Sequence, residues 1–146
     1  MKNFIKNSIY LSIVFSFLAI IVISSGCSSG KSITSGSSLE GTQWILETMN
    51  GKSVAVTNGN NATLILEAAT GKIGGNGTCN SFFGSYKLDG SALSFGEIGS
   101  TKMMCDEMSV EMDYFAALKK IDKYEINSGK LSLYSASNLI LVFKKK

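Results

Sequence analysis

A chain of 146 residues has room for one domain and little besides. It carries 14 lysines against 11 acidic side chains, a net charge of +3, and no histidine, arginine or proline. Those absences exclude Ser-His-Asp and Cys-His nucleophile systems, histidine-bearing zinc sites and arginine fingers. They also remove the guanidinium fork that reads phosphate or guanine bidentately.

The charge is unevenly spread. Lys2 and Lys6 form a short basic segment, and Ser8 to Gly26 then run without a charge. This order of basic, apolar and small residues is that of a secretory signal. Ile23-Ser24-Ser25-Gly26-Cys27 resembles the lipobox of bacterial lipoproteins, departing from it at Ser24, where leucine is usual. The resemblance implies cleavage before Cys27, a diacylglyceryl group on its thiol and acylation of the new amine. An uncleaved spanning helix is the alternative for so long an apolar run, but such a helix has no reason to end in Ser-Ser-Gly-Cys. Residues 1–26 are thus read as a signal peptide. Their removal takes away Lys2 and Lys6 and leaves the remainder close to neutral, so no nucleic-acid partner is expected. Residues 28–38 are almost all Ser, Gly and Thr, a flexible tether of roughly 18 Å typical span. With no acidic cluster after Cys27, the expected location is the cell envelope, anchored in the outer membrane and facing the periplasm.

Residues 39–146 form the folding unit. Turn signals recur at Asn50-Gly51, Asn58-Gly59, Asn76-Gly77, Asp89-Gly90 and Ser128-Gly129. The runs between them predict strands over 43–47, 53–56, 63–67, 72–75, 84–88, 92–95, 100–104, 124–127, 130–134 and 139–144. The unbroken run Leu139–Phe143 suggests a strand covered on both faces. Met108, Met112, Phe115, Leu118 and Ile121 follow a helical period and predict a helix over about 107–121, capped by Asp106, with Lys119, Lys120 and Lys123 at its end. The fold class is α+β: a mostly antiparallel, barrel-like or strongly curved sheet with one helix packed against it.

Within this unit, Trp44-Ile45-Leu46 is followed by Gly77-Thr78-Cys79-Asn80-Ser81-Phe82-Phe83-Gly84-Ser85-Tyr86, by Thr101-Lys102-Met103-Met104-Cys105 and by a last strand ending in Phe143. This order resembles the META domain, also called the HslJ-like domain, across essentially all of 39–146. The resemblance implies a compact β-rich domain with a helix, often lipid-anchored or periplasmic. It implies no established enzymatic activity, a loose association with heat-shock or envelope-stress settings, and a ligand that is generally unknown.

With Cys27 lipidated, Cys79 and Cys105 remain as an even pair in an oxidising compartment, and a disulfide is expected between them. Across their separation it would stabilise by roughly 3.5 kcal/mol in the chain-entropy model. Trp44 reads as core, and Gly74-Gly75-Asn76-Gly77 as a turn between strands rather than a phosphate loop. Asp106, Glu107, Glu111 and Asp113 read as a solvated helix face rather than an acid–base pair. Met103, Met104, Met108 and Met112 suit soft metal chemistry, but their placement on a strand and on the helix stripe favours packing. The expected function is that of a membrane-anchored, non-enzymatic envelope module of unknown protein or small-molecule partner, with no cofactor, no catalytic residue and no metal. The alternatives are a thiol-dependent enzyme using Cys79 or Cys105, and a Cu(I)-binding protein using the Met/Cys-rich segment.

Overall fold

In the computed structural model, residues 38–54, 60–105 and 108–146 are described. The signal segment, Cys27, the tether, the Asn58-Gly59 turn, and the Asp106 and Glu107 positions lie outside them. Ten strands are present among the described residues: β1 (Trp44–Met49), β2 (Lys52–Ser53), β3 (Thr63–Glu67), β4 (Lys72–Asn76), β5 (Ser81–Asp89), β6 (Ala92–Phe95), β7 (Gly99–Ser100), β8 (Lys123–Asn127), β9 (Lys130–Ser135) and β10 (Asn138–Lys145). The helix α1 (Ser109–Leu118) lies between β7 and β8. All strand pairings are antiparallel. Eight strands, in the order β1-β3-β4-β5-β6-β8-β9-β10, close into a ring because β10 pairs back onto β1. Closure removes the free edges that an open sheet would present.

The interior follows from alternation. Residues two apart on a strand share a face, and Trp44 and Leu46, Leu64 and Leu66, Leu131 and Leu133, and Leu141 and Phe143 all point inward and are buried. A ring of eight strands is just wide enough for such side chains to fill. Each of these leucines contributes roughly 1.5–3 kcal/mol through burial. Gly75 permits the closest strand contact: a Cβ there would lie 2.1 Å from the Thr63 carbonyl oxygen and 2.9 Å from the Phe82 ring. Gly74, Gly75 and Asn76 therefore belong to β4, and the turn expected at 74–77 begins only at Gly77.

The helix plugs one end of the ring. Tyr114 is fully buried, donates its hydroxyl to the Thr63 carbonyl at 3.2 Å, and sets its ring against Phe82 and Phe143 at centroid distances of 5.9 and 6.2 Å. Burial holds its phenol far above the usual tyrosine range. The buried stripe is Glu111, Tyr114, Ala117 and Leu118, with Ile121 following in the next turn. Leu118 and Ile121 keep the expected stripe and Phe115 packs against the core, but in the first turn Glu111 takes the inward place expected of Met112, which is 65% exposed. A charged residue within the stripe masks the true period. The helix is also shorter than 107–121, and Lys123 opens β8 rather than closing the helix.

Two other expectations are corrected. The segment 100–104 is strand only as far as Ser100. Leu139 is 46% exposed, because a register shift in β10 between Leu139 and Leu141 turns it out of the alternation that buries Leu141 and Phe143.

The turns at Asn50-Gly51 and Ser128-Gly129 adopt positive φ at both residues, the backbone that two-residue hairpins require. The β9–β10 turn does the same with Ala136 (φ 47°) and Ser137 (φ 70°), residues that give no turn signal. The Ala136 amide is fastened to Asp122 Oδ2 at 2.7 Å. A left-handed non-glycine residue costs about 1–2 kcal/mol. Ser137→Gly is therefore expected to raise stability by about 1 kcal/mol in urea denaturation, with the slope of the transition unchanged.

Candidate functional site

The cysteines, the helix carboxylate and the 101–105 segment meet at the plugged end of the ring. Residues Gly77–Asn80 connect β4 to β5. The connection is shaped by local polar contacts: Asn76 Oδ1 accepts the Thr78 amide at 2.7 Å, and the Gly77 amide donates to the Asn80 carbonyl at 2.8 Å. The positive φ expected of Gly77 falls on Thr78 instead, at 102°. Gly77 is required for space, since a Cβ there would lie 2.6 Å from the Phe115 ring and 2.7 Å from Glu111 Oε2.

Glu111 is the residue that the sequence misplaces. It is not on a solvated face; it is 3% exposed and points into the connection. Its Oε2 accepts the backbone amides of Cys79 at 3.1 Å and Asn80 at 2.6 Å, and its Oε1 accepts Asn80 Nδ2 at 2.7 Å. Hydrogen bonds to an ionised acceptor are about twice as strong as neutral ones. No lysine bridges Glu111 among the described residues. Backbone and amide N–H groups offset its desolvation instead.

Asn80, 1% exposed, extends the network to the other cysteine segment. Its Oδ1 accepts the Thr101 hydroxyl at 2.8 Å and the Met103 amide at 2.7 Å, and its Nδ2 donates to the Met103 carbonyl at 3.2 Å as well as to Glu111. All four hydrogen-bonding positions of the carboxamide are filled. Cys79 and Cys105 are joined by a disulfide, with Cα atoms 6.1 Å apart. Cys79 is buried and Cys105 is exposed. One covalent bond and one carboxamide therefore fasten the same two segments side by side.

The methionines do not pack as expected. Met103 and Met104 lie outside any strand and are 55% and 93% exposed, and Met112 is exposed as well. Met108 is half-buried at the start of α1. Trp44, by contrast, is entirely buried and donates its indole N–H to the Leu39 carbonyl at 3.0 Å. Near it, the Tyr86 hydroxyl donates to Glu40, and burial followed by that carboxylate pushes the phenol up to about 12. With the Gly41 amide on the Leu66 carbonyl at 2.9 Å, residues 39–41 are stitched onto the barrel where the chain enters it.

Among the described residues, no group of three or more His, Cys, Asp or Glu is placed to hold a metal ion. An open groove of about 390 Å³ beside β1 and β2 is lined by Glu47, Thr48, Val54 and Lys130, but neither Cys79 nor Cys105 lines it.

The META domain family model matches residues 37–146, and the chain belongs to that family. A protein from Burkholderia xenovorans, solved by NMR, is similar at 30% identity and a TM-score of 0.60, with 74% of this chain and 83% of that one covered. A second NMR structure is similar at 27% identity and a TM-score of 0.55, covering 70% and 87%. A DUF4847 family protein from Bacteroides vulgatus aligns at 20% identity and a TM-score of 0.46, over 57% of each chain. Among curated proteins no relative matches.

Two substitutions test the network. Asn80→Asp would set a second carboxylate against Glu111 and remove two donated hydrogen bonds, a loss of at least about 3 kcal/mol. Glu111→Gln keeps the shape but turns one oxygen into a donor facing other donors, a smaller loss of about 1–3 kcal/mol. Urea denaturation is expected to rank them in that order, both below the parent protein.

Proposed function

We propose that this protein is a lipid-anchored module of the bacterial cell envelope, a META domain held near a membrane by Cys27 and working by binding or support rather than by catalysis. The sequence Ile23-Ser24-Ser25-Gly26-Cys27, set between an apolar segment and a Ser/Gly-rich stretch, carries the reading. Several acyl chains, at about 0.8 kcal/mol per buried CH₂, would hold the chain at a bilayer stably. The periplasmic face of the outer membrane is the proposed location, and an envelope protein or ligand the proposed partner.

The non-catalytic part of the reading is supported by how the reactive residue types are engaged. Cys79 and Cys105 are bonded to each other. Glu111 and Asn80 have their polar atoms filled by the fold itself. A general base needs a free, positioned group near its substrate. The barrel interior is filled by side chains, which leaves the outer surface and the loops for partner contacts.

Mass spectrometry of the protein taken from membranes is expected to find Cys27 at the N-terminus bearing acyl chains. Cys27→Ala should abolish both cleavage and acylation and leave the domain folded. An intact, unacylated chain from Met1 to Lys146 in the membrane would replace the lipoprotein reading with a spanning helix.

A further inference from the structure

The two ends of the disulfide stand in different surroundings. Cys79 is 5% exposed, whereas Cys105 lies at the surface. Thiol–disulfide exchange requires a thiolate to reach one of the two sulfurs, so access decides which end is attacked. The buried end is also a poor place for charge. Cys79 Sγ lies 3.6 Å from the Met103 carbonyl oxygen, and the amide of the same residue donates to the Glu111 carboxylate at 3.1 Å. A thiolate formed there meets a carbonyl oxygen, a nearby like charge and little water, whereas a thiol can donate its proton to that carbonyl. The bond is also backed by a second fastening. Asn80 holds the Thr101 hydroxyl at 2.8 Å and Met103 by its amide and carbonyl at 2.7 and 3.2 Å, and the Thr101 amide donates to the Ser81 carbonyl at 3.0 Å. These contacts hold the 101–103 stretch without sulfur, and the covalent bond fastens the chain beyond them, at Cys105. Neither cysteine belongs to the packed core of the barrel.

We propose that the Cys79–Cys105 bond is a redox latch, opened through Cys105 by a dithiol, and that opening it frees the 104–105 end of the segment while the barrel and the Asn80 clamp stay in place. A thiolate of the dithiol attacks Cys105 Sγ. The bond to Cys79 breaks, and its electron pair leaves on Cys79 Sγ, which takes a proton. The second sulfur of the dithiol, as thiolate, then attacks the mixed disulfide and expels Cys105, which is protonated in turn. The cysteine pair gains two electrons and two protons, and the dithiol becomes a disulfide. Cys27 takes no part, so the latch does not depend on lipidation.

The test uses the full chain with Cys27→Ala in detergent, so that Cys79 and Cys105 alone can react. It is reduced with dithiothreitol in the absence of denaturant and alkylated with iodoacetamide, and mass spectrometry assigns the label. Reduction is expected to leave a cooperative thermal transition and the near-ultraviolet band of the buried Trp44. Burial and a like charge together suppress ionisation by at least about a hundredfold, so Cys79 should be alkylated that much more slowly than Cys105. In the amide NMR spectrum, Met104 and Cys105 should move toward random-coil positions on reduction while Thr101 keeps its own. Single variants should repeat the ranking in folded protein, the lone thiol of Cys79→Ser reacting fast and that of Cys105→Ser slowly. Alkylation of Cys79 as fast as Cys105 would overturn the proposal. So would a bond that dithiothreitol opens only in denaturant, or a Thr101 amide that moves with Met104. Loss of the cooperative transition on reduction would overturn it too, and would make the disulfide a structural staple.

Discussion

A buried carboxylate is tolerable in a protein interior only when donors surround it. Glu111 meets that condition with two backbone amides from the β4–β5 connection and the side-chain amide of Asn80. The consequences reach outward from this contact. Glu111 fixes the rotation of α1 and so turns Tyr114 into the end of the barrel. The same carboxylate forbids a Cβ at position 77, and it orients Asn80 so that the carboxamide's remaining atoms can hold Thr101 and Met103. The helix, two loops and the disulfide are organised around one charge. Because hydrogen bonds in a water-poor site polarise one another, such a fully filled network behaves as a unit rather than as separate contacts.

Much of the barrel was legible from alternation and turn chemistry. β3 and β6 occupy the segments 63–67 and 92–95 that periodicity marks, and Trp44 is buried as its position in a strand suggested. Where reading failed, a long-range contact was in command. The helix stripe holds at Phe115, Leu118 and Ile121 but fails in the first turn, where Glu111 and not Met112 faces inward, and nothing local tells a carboxylate facing water from one facing three donors 31 and 32 residues away. Gly77 looked like a turn glycine, yet its role is to clear space for Glu111 and Phe115, while the left-handed residue is Thr78. Asn80 could have been suspected, since a polar residue set beside Cys79 and before a run of aromatics has an evident need for partners. Its three partner residues, Thr101, Met103 and Glu111, could not have been named. The turn at Ala136-Ser137 carries no local signal, because the strands on either side impose it.

The interior is filled and the polar knot is saturated, which leaves the outer surface, with the exposed Met103, Met104 and Met112 side chains, open to solvent. In the lipoprotein we propose, residues 39–41 would mark the join between tether and domain. Leu39 is buried there, Gly41 bonds to β3, and Glu40 accepts the Tyr86 hydroxyl. A domain held at its first residues in this way would transmit a pull on the anchor directly to the barrel wall.

The central claim is that the Glu111–Asn80 contact is part of the global fold and not a surface latch. Native-state hydrogen exchange of the Cys79 and Asn80 amides tests it most directly, because local opening and global unfolding separate in that measurement. Both amides are predicted to exchange only through global unfolding, as slowly as those of Leu133 and Leu141 in the barrel core. Exchange of the Cys79 and Asn80 amides orders of magnitude faster than the core, with the disulfide intact, would contradict the account.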